Sequence, residues 1–235
     1  MSARVWITRA RPGAERTAER LRGLGLTPVI APLLVVEPLR PALPDLENYD
    51  GLVFTSSNGV DAFAALTPRR DRPVLAVGDA TADAARRIGF QDVRSAAGDL
   101  TDLARLIAAP IKGLPQSPRL LAAVAETPAG DLAAAVSSAG GTAQIDTITP
   151  YRTAPAIFAP PTAFDAVLVH SPRAGRQLAT LDAARLAKAE IVCISPAAAA
   201  PLAALGLAPT VAQAPNEPAL FTGLQEALGK RERRV

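Results

Sequence analysis

Short apolar runs alternate with helix-like segments along almost the whole chain. The pattern is clearest over Gly51–Val60, where Leu52–Phe54 is typical of a strand that is buried on both faces. The polar residues that follow this strand are Thr55, Ser56, Ser57 and Asn58. A helical segment begins directly after them, and serine and asparagine are preferred helix N-caps. The pattern therefore predicts a strand, a tight turn and a helix N-terminus whose free N–H groups can bind an anion.

The same alternation predicts the other elements of the first half of the chain. Residues 27–38 should be extended, because their three prolines disfavour a helix. Residues 39–50 have the composition of a linker. The remaining predicted elements are a strand at 4–7, a helix at 14–24, a strand at 74–78, a helix at 79–89 and a helix at 100–109.

The second half of the chain repeats this order. Its predicted elements are a strand at 119–124, a helix at 129–141, an extended segment at 144–153, a strand and helix at 164–178 and a strand and helix at 190–206. Arg4 and Arg119 are 115 residues apart, and Gly89 and Gly206 are 117 apart. This steady offset indicates two copies of a β-α-β-α unit. We therefore expect an α/β protein with parallel sheets, and 235 residues favour two domains of about 100 residues each.

Polar residues and one glycine gather at the predicted strand ends, and in parallel sheets ligands bind beyond the carboxyl ends of the strands. These candidate ligand-binding residues are Thr8, Arg9, Thr55, Ser56, Ser57, Asn58, Gly78, Thr81, Ser171, Arg173 and Ser195. Two domains with such edges facing one another would form a cleft. The hydroxyls also have a structural interpretation as helix caps, and Arg9 and Arg173 have one as surface charges.

Composition narrows the classes of function. The net charge of +3 suits an anionic ligand, whereas no stripe of Lys and Arg interleaved with aromatics indicates nucleic acid. No apolar run reaches the roughly 18 residues of a membrane-spanning helix. With the single Cys193 and the single His170, neither a disulfide nor a zinc site is expected, and both residues should be buried. This cysteine usage and the lack of a signal-peptide pattern predict a cytoplasmic protein.

In the order and spacing of its motifs, nearly the whole chain resembles the uroporphyrinogen-III synthase family. The motifs are ITRARPGAERTAERLRGLGLTPVIAPLLVVEP (7–38), DGLVFTSSNGVDAF (50–63), VLAVGDATADAARRIGF (74–90), ITPYRT (148–153), AVLVHSPRAGRQL (166–178) and CISPAAAAPLAALG (193–206). The resemblance implies two flavodoxin-like domains that are joined by a two-stranded linker. The first domain would be 1–36 with 154–235 and the second 37–150, with crossings near 32–38 and 148–153.

The resemblance also implies the reaction. Members of the family cyclise the linear tetrapyrrole hydroxymethylbilane to uroporphyrinogen III, with inversion of ring D and loss of water, and need no cofactor. Tyr151 matches the family's cleft tyrosine and would assist as an acid, and Thr81 matches a family threonine. Where relatives have two threonines, this chain has Ala197 and Ala198 after Ser195-Pro196. The resemblance further implies a monomer, with the deaminase that makes the substrate as a candidate transient partner.

Other interpretations remain open at this point. The main alternative is a non-catalytic two-domain protein that binds a small anionic ligand. A nucleotide-using transferase is disfavoured, because the chain has neither a Gly-x-Gly-x-x-Gly turn nor a Walker-type loop. Tyr151 itself has a structural interpretation as a half-covered linker tyrosine.

Overall fold

The computed structural model describes residues 2–157 and 159–232, which form two compact units. The first unit combines the residues up to Val35 with the described residues from Ala154 onward, and the second runs from Val36 to Thr153. The strands are β1 (Arg4–Ile7), β2 (Thr27–Ile30), β3 (Leu34–Pro38), β4 (Gly51–Phe54), β5 (Val74–Ala76), β6 (Val93–Ser95), β7 (Arg119–Ala125), β8 (Gln144–Pro155), β9 (Ala166–Val169), β10 (Glu190–Cys193) and β11 (Thr210–Val211). The helices are α1 (Gly13–Gly23), α2 (Ser57–Ala64), α3 (Asp79–Arg87), α4 (Leu100–Ala108), α5 (Leu132–Ser138), α6 (Pro172–Leu178), α7 (Ala183–Leu186), α8 (Pro196–Ala203) and α9 (Glu217–Glu232).

The first unit is a parallel five-stranded sheet in the order β11-β10-β9-β1-β2. Successive residues of β1 point to opposite faces of the sheet, as the pleat requires. Val5 and Ile7 pack with α1 and α9, whereas Trp6 packs with α6, α7 and α8. Helices therefore cover both faces, which explains why β9 and residues 5–7 of β1 are apolar and buried on both sides.

The second unit is a six-stranded sheet in the order β3-β8-β7-β4-β5-β6. Phe54 of β4 packs with α2 and α3, and its neighbour Val53 packs with α4 and α5. The strands from β8 to β6 pair in parallel. This unit is thus also a sheet with helices on both faces, and the α/β class that the sequence predicts is confirmed.

The two sheets have corresponding strand orders once the internal repeat is considered. The repeat relates β1 and β2 to β7 and β8, and it relates β9 and β10 to β4 and β5. Each sheet therefore combines strands from both copies. In the first sheet the order changes direction between β1 and β9, and in the second between β7 and β4. Such switch points are where open α/β sheets bind ligands, at the carboxyl ends of the strands.

Some elements differ from the sequence prediction. The extended segment 27–38 forms two strands, β2 and β3, rather than one. Residues 39–50, expected to be a linker, include a short 3-10 helix at Leu46–Asn48, capped by Asp45. The elements β6, α7, β11 and α9 had no counterpart in the sequence prediction. The boundaries between the two units fall inside β3 and β8, which are neighbours in the sheet.

Candidate functional site

In the second unit, Tyr151 and Ser56 are joined by a hydrogen bond. The phenol oxygen of Tyr151, in β8, lies 2.7 Å from Oγ of Ser56, at the end of β4. Ser56 is also the N-cap of α2, and its Oγ accepts the N–H of Gly59 at 3.0 Å. Tyr151 is only 4% exposed, so most of this residue packs within the fold.

The absence of a side chain at Gly59 permits this arrangement. A Cβ at Gly59 would lie 2.9 Å from the carbonyl oxygen of Ala123 in β7 and 3.7 Å from Cε1 of Tyr151. The first turn of α2 therefore approaches β7 closely at the switch point between β4 and β7. Burial raises the pKa of the Tyr151 phenol, and the bond to Ser56 offsets this only partly. The phenol consequently keeps its proton at neutral pH.

The other candidate side chains of the second unit are not engaged within the fold. Thr55, Ser57 and Asn58 are half-buried, and Thr81 is 5% exposed on the first turn of α3. None of these four side chains has a hydrogen-bond partner among the residues described. Gly78 is the N-cap of α3 and offers only its backbone. The hydroxyls of Thr55, Ser57 and Thr81 and the side-chain amide of Asn58 therefore have unused hydrogen-bonding capacity.

The first unit uses the side chain of one candidate, Thr8, inside the fold. Its side chain is fully buried, and its hydroxyl donates to the carbonyl oxygen of Leu168 at 2.6 Å. The carbonyl oxygen of Thr8 accepts the N–H of Leu33. Because its hydroxyl and its carbonyl oxygen both bond within the first unit, Thr8 joins β1 to β9.

Arg9 meets Glu217 at the carboxyl edge of the first sheet. Its Nη1 lies 3.3 Å from Oε1 of Glu217, the first residue of α9. Thr17 and Arg20 of α1 also contact this carboxylate. Burial raises the pKa of Glu217, but its hydrogen-bonding and cationic neighbours outweigh that effect and hold the pKa well below the usual range. Glu217 is therefore ionised at neutral pH.

His170 is buried beside the same carboxylate. Its side chain is 6% exposed, and Nε2 lies 3.6 Å from Oε1 of Glu217. Neither ring nitrogen has a hydrogen-bond partner in the described part of the chain. His170 is thus buried as expected but is not satisfied by hydrogen bonds. Burial lowers the pKa of His170, and Glu217 opposes this effect.

The remaining candidates of the first unit lie at the ends of β9 and β10. Ser171 and Ser195 are the N-caps of α6 and α8, and their Oγ atoms accept the N–H groups of Ala174 and Ala198. Arg173 is half-buried on the first turn of α6, with no ion-pair partner among the described residues. These positions correspond through the repeat to the α2 and α3 caps of the second unit.

Two further observations bear on the kind of site. Within residues 2–157 and 159–232, no group of three or more His, Cys, Asp or Glu side chains has an arrangement suited to a metal ion. No helix in the same residues is long and apolar enough to cross a membrane. The polar groups at the strand ends are hydroxyls, backbone N–H groups, one amide and two arginines, which suit a ligand with carboxylates.

The fold and these sites define a two-unit α/β protein with polar strand ends suited to an anionic ligand. A family model described as uroporphyrinogen-III synthase HemD matches residues 15–222. Because the match spans most of the 235 residues, the chain belongs to the uroporphyrinogen-III synthase family. It is therefore an enzyme of a family that acts on a tetrapyrrole substrate.

Solved structures agree with this assignment at the level of the fold. The uroporphyrinogen-III synthetase of Helicobacter pylori superposes with a TM-score of 0.64 at 17% identity, over 97% of this chain and 99% of that chain. A mutant uroporphyrinogen III synthase of Thermus thermophilus gives a TM-score of 0.54 at 19% identity, over 97% and 100% of the two chains. A comparison with curated proteins finds no significant match.

Sequence reasoning missed Glu217. A local signal was present, since Asn216-Glu217-Pro218 has an N-cap residue before a proline, as at many helix starts. The side-chain oxygen of Asn216 accepts the N–H of Ala219 at 2.9 Å. That signal predicts a helix, but the contact with Arg9 joins residues 208 positions apart.

Proposed function

We propose that this chain cyclises hydroxymethylbilane to uroporphyrinogen III, with inversion of ring D and loss of water. The observation that supports this most directly is the family match over residues 15–222. The placement of Tyr151 against Ser56 adds a chemical argument, because the reaction begins with the departure of a hydroxyl group. The alternative, a non-catalytic binding protein for a small anion, is not favoured by this family membership.

Tyr151 is the proposed proton donor to the departing hydroxyl. As the C–O bond of the hydroxymethyl group on ring A breaks, the phenol proton passes to the oxygen and water leaves. The pyrrole nitrogen supplies the electrons and a protonated azafulvene forms on ring A. The substituted carbon of ring D bonds to the exocyclic carbon of ring A and gives a spiro intermediate, in which the bond from that ring D carbon to the methylene of ring C then breaks. This methylene bonds to the free α carbon of ring D, and the proton that this carbon loses restores the phenol. The remaining task is to hold one folded conformer of the substrate.

Ser56 supports this role through a chain of hydrogen bonds. The N–H of Gly59 donates to Ser56 Oγ, which leaves the Ser56 hydroxyl proton free to donate to the phenol oxygen. In this arrangement Ser56 does not use the phenol proton, which is left to donate to the substrate. Hydrogen bonds in a chain strengthen one another, so Ser56 would stabilise the developing phenolate.

Substrate carboxylates are the proposed partners of the polar strand ends. In the second unit these partners are Thr55, Ser57, Asn58, Thr81 and the backbone at Gly78. In the first unit they are Arg9, Ser171, Arg173 and Ser195. Because Ala197 and Ala198 lack hydroxyls, α8 would contribute only Ser195 and backbone N–H groups, and the arginines a larger share of the recognition.

The proposal extends to the reaction class, cofactor requirement, oligomeric state, compartment and domain bounds of the enzyme. We propose a cofactor-independent, monomeric lyase of the cytoplasm, in contact at most transiently with the deaminase that supplies its substrate. The buried free thiol of Cys193 is compatible with a reducing compartment. The proposed domains are residues 1–36 with 154–235, and residues 37–150.

The decisive experiment is a product analysis. Hydroxymethylbilane is generated in situ, the purified chain is added without metal or cofactor, and the oxidised products are separated into uroporphyrin I and III. Preferential formation of isomer III is the expected result. Isomer I alone, from folded protein, would contradict the proposed function and favour the binding-protein alternative.

A further inference from the structure

The cluster around Glu217 lies at the switch point of the first sheet. Arg9 follows β1 and His170 follows β9, and the strand order changes direction between these two strands. Open α/β sheets bind their ligands at this point of the carboxyl edge. Glu217 reaches it from the start of α9 and contacts Arg9. A carboxylate of the chain itself thus lies where the topology predicts a ligand.

Arg9 is held from two sides. Its Nη1 contacts Glu217, and the rest of its guanidinium lies against the bare Cα of Gly13. A Cβ at Gly13 would lie 2.5 Å from Nε and 2.8 Å from Nη2 of Arg9. The Arg9 side chain remains 30% exposed, so part of it is open to a ligand.

The arginine charges around Arg9 exceed the negative charge of the carboxylate that pairs with them. Burial lowers the pKa of Arg9, Glu217 raises it, and the nearby guanidinium groups of Arg16 and Arg20 lower it again. Glu217 is shared between Arg9 and Arg20, and Arg16 has no carboxylate partner in the part of the chain that the structure describes. Two arginines therefore share one carboxylate while a third guanidinium acts on Arg9, and a ligand carboxylate would reduce the excess of positive charge.

We propose that Glu217 is a positioning residue which, together with Gly13, holds the Arg9 guanidinium ready to bind one carboxylate of the substrate. This inference rests on the function proposed above. Glu217 does not itself touch the substrate; it acts through Arg9. The side chain of His170 is almost fully buried against Glu217 and excludes water from one side of the Glu217 carboxylate. The carboxylate therefore interacts with the arginines and not with water on that side.

Two substitutions test the positioning in different ways. Glu217→Gln removes the charge and keeps the size of the side chain. Gly13→Ala keeps every charge and places a methyl group where the Arg9 guanidinium now lies. The end of an arginine side chain can move, so this second variant should fold normally. Gly23→Ala is the matched control, because it lies in the same helix with no other atom within 4 Å of the new Cβ.

In steady-state assays with hydroxymethylbilane, Glu217→Gln and Gly13→Ala should each raise KM about tenfold and change kcat less than twofold, as loss of one charged hydrogen bond predicts. Gly23→Ala should behave as wild type. In an Arg9→Leu background, Glu217→Gln should have no further effect on KM. Wild-type KM values in both variants, or an undiminished effect in the Arg9→Leu background, would overturn the proposal.

A second measurement does not depend on turnover. His170 is the single histidine of the chain, so its imidazole NMR signals report on this cluster alone. Adding uroporphyrin III, a product-like octacarboxylate, should shift these signals in wild type and in Gly23→Ala but not in Arg9→Leu or Gly13→Ala. If wild type formed no isomer III, the proposed function would fail, yet this pattern of shifts would still support the positioning role. Equal shifts in all variants, or none in wild type, would overturn it.

Discussion

The hydroxyl of Ser56 lies 2.7 Å from the phenol oxygen of Tyr151, and the same hydroxyl caps helix α2. One side chain thereby connects the start of a helix with the tyrosine proposed to donate a proton. These residues are 95 positions apart along the chain. From this contact we expect separate effects on catalysis and on stability when either residue is replaced.

Tyr151→Phe should lower kcat for isomer III formation by up to about a hundredfold, the lower end of the range for general-acid catalysis. The loss is limited because the pyrroles supply the electrons for the reaction. Tyr49→Phe is the matched control, since Tyr49 is the other tyrosine of the chain and its phenol also bonds within the fold, to Asp146 at 2.9 Å. Equal kcat values for Tyr151→Phe and wild type would remove Tyr151 from the mechanism.

Ser56→Ala should destabilise the protein more than Ser171→Ala. The two serines cap their helices with nearly identical backbone angles, φ −162° and ψ 156° for Ser56 and φ −163° and ψ 156° for Ser171. Each cap contributes about 1 kcal/mol, but only Ser56 also bonds the phenol of Tyr151. Leaving that buried phenol without a partner should cost about 1–2 kcal/mol more.

Urea unfolding monitored by circular dichroism measures this difference between the two serine variants. In a Tyr151→Phe background the extra cost of Ser56→Ala should disappear, because no phenol remains to lose its partner. Equal losses for Ser56→Ala and Ser171→Ala would show that the contact with Tyr151 does not contribute to stability.

The stability of the protein should fall as pH is lowered from about 6.5, the ordinary pKa of histidine. Burial lowers the pKa of His170 in the folded state, so the unfolded chain binds the proton first. One such group contributes at most about 1.4 kcal/mol per pH unit. Glu217, which faces His170, has a lowered pKa and stays ionised in this range, as does Arg9.

Urea unfolding between pH 8 and pH 5 checks this dependence on pH. His170→Gln is neutral throughout the range and should remove the slope between pH 6.5 and pH 5. A slope that persists in His170→Gln would assign the dependence to other groups.

Gly175→Ala should lower the free energy of unfolding by about 3 kcal/mol, the upper part of the range for overpacking. A Cβ at Gly175 in α6 would lie 2.2 Å from the carbonyl oxygen of Ala198 in α8, and a backbone atom cannot move aside as a side-chain end can. Gly23→Ala, which meets open space, should be neutral or stabilising. Thermal unfolding of the two variants measures the contrast, and equal melting temperatures would contradict the close approach of α6 and α8.

Cys193 should not react with thiol reagents in the folded protein. Its side chain is fully buried and burial raises the pKa of the thiol to about 12, so almost no thiolate is present at neutral pH. Labelling with a maleimide should therefore proceed only after unfolding in urea. Rapid labelling of the folded chain would show that β10 is accessible.

The sequence alone determined the features of this protein that depend on neighbouring residues. Apolar runs predict the buried strands, and the residues at Ser56, Gly78, Ser171 and Ser195 predict the helix starts that the structure contains. These features are predictable because a strand pattern and a helix cap each involve only a few successive residues. The repeat offset likewise compares short segments, and the resemblance built on such segments named the family that the comparisons show.

Only the tertiary structure decided which polar groups face one another. Thr8 follows a strand just as Thr55 does, yet its hydroxyl bonds the carbonyl oxygen of Leu168, 160 residues away. Glu217 contacts Arg9, 208 residues away, at the carboxyl edge of the first sheet. Neither the sequence around Arg9 nor the sequence around Glu217 specifies this contact. Such contacts arise because each sheet combines strands from both copies of the repeat. Sheet order and register place these side chains together, and a local pattern of apolar and polar residues contains neither.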